Sequence, residues 1–290
     1  MTIISAKSGS DWTEIELSEF NICIDTLDWT EFFNTQQLPA LFLPQQMSQS
    51  HDYQSDPASV NSFAMADWGF FQYMRRARVE GKSAVNDFVA YLLRMLAYEG
   101  RRRIIRQRKE LSFLMHGQHV DAQAEVAIVA GDALDCLLVV QEGKSVSIPM
   151  SNQISPGTNL WISRGDRTPS TEAQLIASAI AAFSWNASNM RFSNRPDLTF
   201  QDIPGILMIG TAPIFYRIPV TSDLLGCIGR GEYPQQTTVV HRCIPPVANQ
   251  AAYSRFGLFA VENRRAVFQC FEALKAFVSN HLLDSGEDSA

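Results

Sequence analysis

The stretch LLVVQEGKS, residues 137–145, decides how the rest of the chain is read. Four apolar residues in a row, Leu137 to Val140, suit a strand covered on both faces, and Gln141, Glu142 and Lys144 end that run abruptly. Such a strand carries its polar tip to the place where a core opens to solvent, which is where α/β folds put their chemistry. Side chains two apart on a strand share a face, so Glu142 and Lys144 fall together while Gly143 points the other way.

Working upstream, AEVAIV (124–129) reads as a second strand that turns through Ala130-Gly131-Asp132 into 134–144. Antiparallel pairing of the two brings Glu125 beside the strand end that carries Glu142. Before them, RRRIIRQRKELSFLMHG alternates Lys109, Leu111, Phe113 and Met115 with Arg108, Glu110, Ser112 and Leu114, as a half-buried strand does. Earlier still, SAVNDFVAYLLRMLAYEG lines Val85, Phe88, Val89, Leu92, Leu93 and Leu96 along one helical face, with Gly100 as its stop.

Downstream comes a loop of about 25 residues rich in Ser, Pro, Asn and Gly, longer than a compact domain usually carries unless the loop is functional or mobile. PSTEAQLIASAIAAFSWN then predicts a helix, with Thr171 and Gln174 in capping-box spacing. IPGILMIGT and IFYRIPVTS predict two strands joined at Ala212-Pro213, and VENRRAVFQCFEALKAFVSNHLL a closing amphipathic helix. The order is αβββαββ and then α.

Composition sets the class. Among 290 residues, 46% are hydrophobic and 19% charged, close to globular averages, so wholesale disorder is excluded. No run reaches the roughly 18 apolar residues of a membrane span, and the N-terminus lacks a basic start followed by an apolar stretch, so an intracellular protein is expected, in nucleus or cytoplasm. The five scattered cysteines form no CxxC pair and are expected as reduced core thiols. His116 and His119 form an HxxH in a turn with no cysteine beside it, and Asn186 opens a chance glycosylation triplet.

The net charge of −6 hides an asymmetry. Residues 1–71 hold ten acids and one base, while residues 74–110 hold eleven bases and four acids. An acidic N-terminal extension (1–72) ahead of a main domain (73–290) is therefore expected, with QQMSQSHDYQSDPAS as linker or loop. The basic stretch Arg101, Arg102, Arg103, Arg106, Arg108 and Lys109 suits a phosphate backbone, a nuclear import signal or a plain solvated face. The opposed charges also suggest that the N-terminal segment folds over the basic surface and competes with nucleic acid.

The αβββαβ order, with a carboxylate on the second strand and ExK on the third, resembles the core of the PD-(D/E)XK nuclease-like superfamily. A closer resemblance is to uncharacterised proteins of mushroom-forming (basidiomycete) fungi that look like a divergent branch of it. It is carried by SAVNDFVAYLLRMLAYE, AQAEVAIV, LLVVQEGKS, EAQLIASAIAAF, IPGILMIGTAPIFYRIPVT and NRRAVFQCFEALKAF, which together run through residues 83–278. The resemblance implies a restriction-endonuclease-like αβββαβ core, an α/β fold with a mixed central sheet flanked by helices. It also implies Mg²⁺ or Mn²⁺ held by Glu125 and Glu142, a catalytic Lys144, and Gln174 as a polar residue facing the site. Two departures stand out: the family more often has Asp at the position of Glu125, and often an acid at that of Gly143.

A metal-dependent phosphodiester hydrolase acting on DNA or RNA is the expectation that follows. Mg²⁺ is commonly held by one or two carboxylates plus substrate phosphate and waters, and a lysine can stabilise developing negative charge. The alternative is a nuclease-like fold that binds nucleic acid or protein without cutting. Each residue also has a plainer reading: Glu142 and Lys144 as an ion pair at a strand end, Glu125 as a solvated strand start, Gln174 as a helix cap, and Asp87, which could reach the site as a further acid, as a surface residue of its helix.

Overall fold

The computed structural model describes residues 5–41, 47, 50, 62–100, 102–131, 134–143 and 170–283. Seven strands form one mixed sheet: β1 (Ile22–Thr26), β2 (Arg103–Met115), β3 (Gln118–Ala130), β4 (Cys136–Gly143), β5 (Phe200–Ile209), β6 (Ala212–Thr221) and β7 (Thr238–Cys243). Their spatial order is β1-β7-β6-β5-β4-β3-β2. β4 pairs in parallel with β5 and β1 with β7, while the remaining pairs are antiparallel.

A parallel neighbour needs a crossover, and α5 (Thr171–Phe192) lies in sequence between β4 and β5. Its buried residues Leu175, Ile176, Ile180 and Phe183 form one core with Leu111, Phe113 and Val139 on one face of the sheet. The other face is covered by α3 (Ser62–Val79), α4 (Lys82–Met95) and α8 (Val261–Leu283), whose Phe70, Phe88, Leu92, Phe268 and Phe271 pack with Val126, Ile128, Leu138 and Val140. β4 is buried on both faces, as its continuous apolar run requires. Shorter helices α1 (Glu14–Glu19), α2 (Trp29–Phe32), α6 (Ser222–Arg230) and α7 (Gln250–Phe256) complete the chain. Among the described residues, no helix is long and apolar enough to cross a membrane.

Several boundaries differ from the sequence expectations. The helix of residues 82–95 stops at Leu96 rather than Gly100, because Ala97 turns left-handed (φ 55°) and the buried Tyr98 hydroxyl donates to the Phe271 carbonyl. The β5–β6 turn is Gly210-Thr211, with Gly210 at φ +58°, and Ala212 and Pro213 already belong to β6. α5 is capped by Ser170, which accepts from the Ala173 amide, so Thr171 is its first residue and no capping box with Gln174 forms. β3 extends well before AEVAIV, since Val120, Ala122 and Ala124 continue an inward alternation. The long polar loop after β4 lies outside the described residues up to Pro169.

The described residues of the first seventy contribute to the sheet and to both cores. β1 pairs with β7; Trp12, Leu17 and Phe20 enter the α5-side core, and Phe32 and Phe33 the opposite one. A division at residue 72 would cut α3 in half. Within the polar stretch QQMSQSHDYQSDPAS, Met47 is buried, and Arg264 donates to the carbonyls of Met47 and Ser50. Asn186 is buried and bonded to both the amide and the carbonyl of Cys136, which leaves no room for a glycan. Cys136, Cys243 and Cys270 are buried free thiols, whereas Cys23 is exposed.

Candidate active site

The site is set by an interruption in the β2–β3 ladder. Pairing runs Arg106↔Ala127 and Gln107↔Val126, then resumes at Lys109↔Ala124, leaving Arg108 and Glu125 unpaired between. Arg108 takes a left-handed φ of 51°, uncommon for a non-glycine residue in a strand. Facing changes at this point. Ala122 and Ala124 sit in the α5-side core, yet beyond the interruption it is Ala127 and Val129 that do so, while Val126 and Ile128 face α4.

Glu125 consequently shares a face with Val126, where unbroken alternation from Val126 would have sent it to the opposite side. β3 and β4 pair Val126↔Val140, and Glu142 lies two residues beyond Val140 on that same face. The two carboxylates therefore meet on the α4 side of the sheet, at the end of β4.

α4 supplies their neighbours. Lys82, its first residue, places its ammonium 2.5 Å from Oε1 of Glu125, and Asn86, one turn on, donates Nδ2–H to Oε2 at 2.9 Å. Residues i and i+4 lie on one helix face, so the pair grips both oxygens of a carboxylate that is only 7% exposed. Neither residue stood out in the sequence. The available signal was that Lys82 and Asn86 prolong the stripe of Val89 and Leu93 with polar groups, which requires a polar partner on the sheet.

Glu142 is half-buried, and its pKa is pushed up to about 7. Burial is the largest cause; Lys82 pulls the value down and the Glu125 carboxylate pushes it up. Among the described residues, the cluster brings two carboxylates to one ammonium.

Lys144 lies outside the described residues, as does Arg101. Gly143 is buried on the α5 side, where a Cβ would meet Ile209 Cγ1 at 3.0 Å, so its side faces away from Glu142. Gln174 is not brought to the carboxylates: its helix packs on the opposite face, and Nε2 donates to the Ser10 carbonyl at 2.5 Å. Asp87 is exposed. The described basic residues lie on β2, an edge strand, or just before it, and divide between its two sides. Lys109 stacks over the Trp185 ring of α5 at 3.9 Å, Arg103 lies towards Tyr98, and Arg102, Arg106 and Arg108 are exposed. Charge along an edge strand also blocks pairing with a second sheet, a structural reason for the same residues.

Among the described residues, no group of three His, Cys, Asp or Glu is arranged to hold a metal. The donors that converge are the oxygens of Glu125 and Glu142. Hard oxygen ligands suit Mg²⁺, which commonly takes only one or two carboxylates and fills its octahedron with water and phosphate. Burial disfavours the ionised form of Glu142, and a divalent cation at the pair would favour it. The donor set therefore fits the ion, on condition that Lys82 yields part of its contact with Glu125. No protein-family model matches the chain, and no curated protein matches it.

Proposed function

We propose that the chain is a metal-dependent phosphodiester hydrolase of the PD-(D/E)XK nuclease-like type, acting on nucleic acid. The observation that carries this reading is the meeting of two carboxylates at a buried strand end, with Glu142 held near pKa 7. The order α4-β2-β3-β4-α5-β5 supports it, being the element order of that core.

Glu125 and Glu142 would hold Mg²⁺ or Mn²⁺, which when bound lowers the pKa of water and offsets charge on the phosphate. Asn86 fixes the rotamer of Glu125, so the deeper ligand is preorganised. Lys144 follows Glu142 by two residues and is assigned to orient the attacking water and to stabilise the charge that builds on the phosphate. Arg102, just before β2, and Arg108, on it, are exposed and would contact the phosphate backbone, giving salt-sensitive binding with little sequence preference, whereas Arg106, opposite Ala127, faces the α5 side. Gln174 has no part in this assignment.

The test is cleavage of labelled single- and double-stranded DNA and RNA with Mg²⁺ or Mn²⁺, beside Glu142→Gln and Lys144→Ala. Cleavage that EDTA abolishes, and that either substitution lowers by at least ~10²-fold, supports the reading. A folded wild type that cuts no substrate moves it to a second reading, a nuclease-like fold that binds without cutting. The Lys82 ammonium on Glu125 favours that second reading, because it already occupies one metal-facing oxygen. Salt-dependent binding of the same oligonucleotides then distinguishes a binding module from neither function.

A further inference from the structure

We propose that Lys82 is the resident counter-ion of the carboxylate pair, holding the cation position beside Glu125 until a divalent metal displaces it, and thereby setting the metal affinity. The inference rests on the metal-site reading above and goes beyond it. It makes a helix residue outside the QEGK stretch the gate of the site.

Four observations support it. The ammonium sits 2.5 Å from Oε1 of Glu125, the deeper of the two carboxylates assigned to the metal. Lys82 occupies the first position of α4, where a positive charge opposes the helix dipole, and the preceding Gly81 offers no side-chain cap. Nothing in the helix itself favours a lysine there; its favourable partner is the carboxylate. The side chain is also 59% exposed on a flexible four-carbon stem, so it can swing into solvent without disturbing the core. Asn86 donates to the other oxygen and needs no such movement, which leaves Glu125 in place when the ammonium departs.

The consequence is opposite to that of losing a ligand. Removing Lys82 takes a like charge away from an incoming Mn²⁺ and removes its competitor, so affinity rises. The same removal takes from the buried Glu125 its cationic partner, so the metal-free protein melts lower and gains more from metal.

The experiment is Mn²⁺ binding by the full chain, read by calorimetry and by the Mn²⁺-induced shift in melting temperature, for wild type, Lys82→Gln and Glu125→Gln. Expected are about tenfold tighter binding and a larger melting shift for Lys82→Gln, with binding lost in Glu125→Gln. Wild-type binding that Lys82→Gln leaves equal or weaker overturns the gate while sparing the metal site. Absence of Mn²⁺ binding in both wild type and Lys82→Gln, each with a cooperative melt, overturns the gate together with the metal reading on which it rests.

Discussion

Glu142 links the packing of the site to a pH dependence whose sign can be worked out. Its carboxyl titrates near 7 in the folded protein against 4.5 in the free side chain. The folded state therefore keeps the proton over a range where the unfolded state has lost it. Stability from this group is full below 4.5 and falls as pH rises through 7. Glu142→Gln removes the penalty, so at pH 8 the variant is expected to melt ~2–4 °C above wild type. That corresponds to about 1 kcal/mol once screening of a partly exposed group is allowed for. At pH 4.5 the two should melt together. Thermal scans at both pH values decide it, and an equal offset at the two would mean that the charge on Glu142 is not the cause. This residue was singled out in the sequence because it stands just past the end of an apolar run, where the same spacing also fits an ion pair at a strand end. Lys82 and Asn86 were not, because their significance depends on which way Glu125 turns, and alternation alone cannot say.

At the scale of elements, what the sequence revealed depended on how strongly each segment repeats. The alternation of Leu111, Phe113 and Met115 and the stripe of α4 emerged as expected, because both are long and half-buried. β1 and β7 left no such trace: each is short and pairs with its partner across more than two hundred residues. Most hidden was the interruption at Arg108 and Glu125, which preserves the register of the ladder while changing which side its residues face. A second hidden device sits behind the β5–β6 turn. Gly257 has φ 46°, and a Cβ there would lie 2.3 Å from the backbone carbon and oxygen of Thr211, whose hydroxyl and carbonyl bond Phe256 and Leu258. Gly257→Ala must move backbone on both sides, and a loss of ~2–4 kcal/mol is expected in urea unfolding. Gly210→Ala is the control, with φ +58° but open space around its Cβ, and should cost only ~1 kcal/mol. Equal losses at the two positions would show that dihedral strain, and not the approach to Thr211, governs both.

For the whole molecule, the question is whether the acidic first segment is a detachable arm. Its charge suggests one, and on that reading its removal should free the basic surface and tighten binding to nucleic acid. Its apolar residues argue the opposite. Trp12, Leu17, Phe20 and Ile22 are all buried in the α5-side core, and β1 forms a full parallel ladder with β7. Even one of its acids is structural: Glu16, fully buried, closes a capping box with Thr13 and pairs with Lys7. Burying each of four large apolar side chains contributes about 1.5–3 kcal/mol, so together they supply ~6–12 kcal/mol. The net stability of a folded domain is itself only about 5–15 kcal/mol. Deleting residues 1–26 should therefore abolish cooperative folding instead of unmasking a binding surface. Urea unfolding of the truncated chain, followed by circular dichroism, is the measurement, and loss of a sigmoidal transition is the expected result. A truncated chain that still unfolds cooperatively and binds DNA more tightly at low salt would restore the detachable arm. It would also mean that the core around α5 closes without Trp12, which the packing of that indole against Phe20 and Phe113 speaks against.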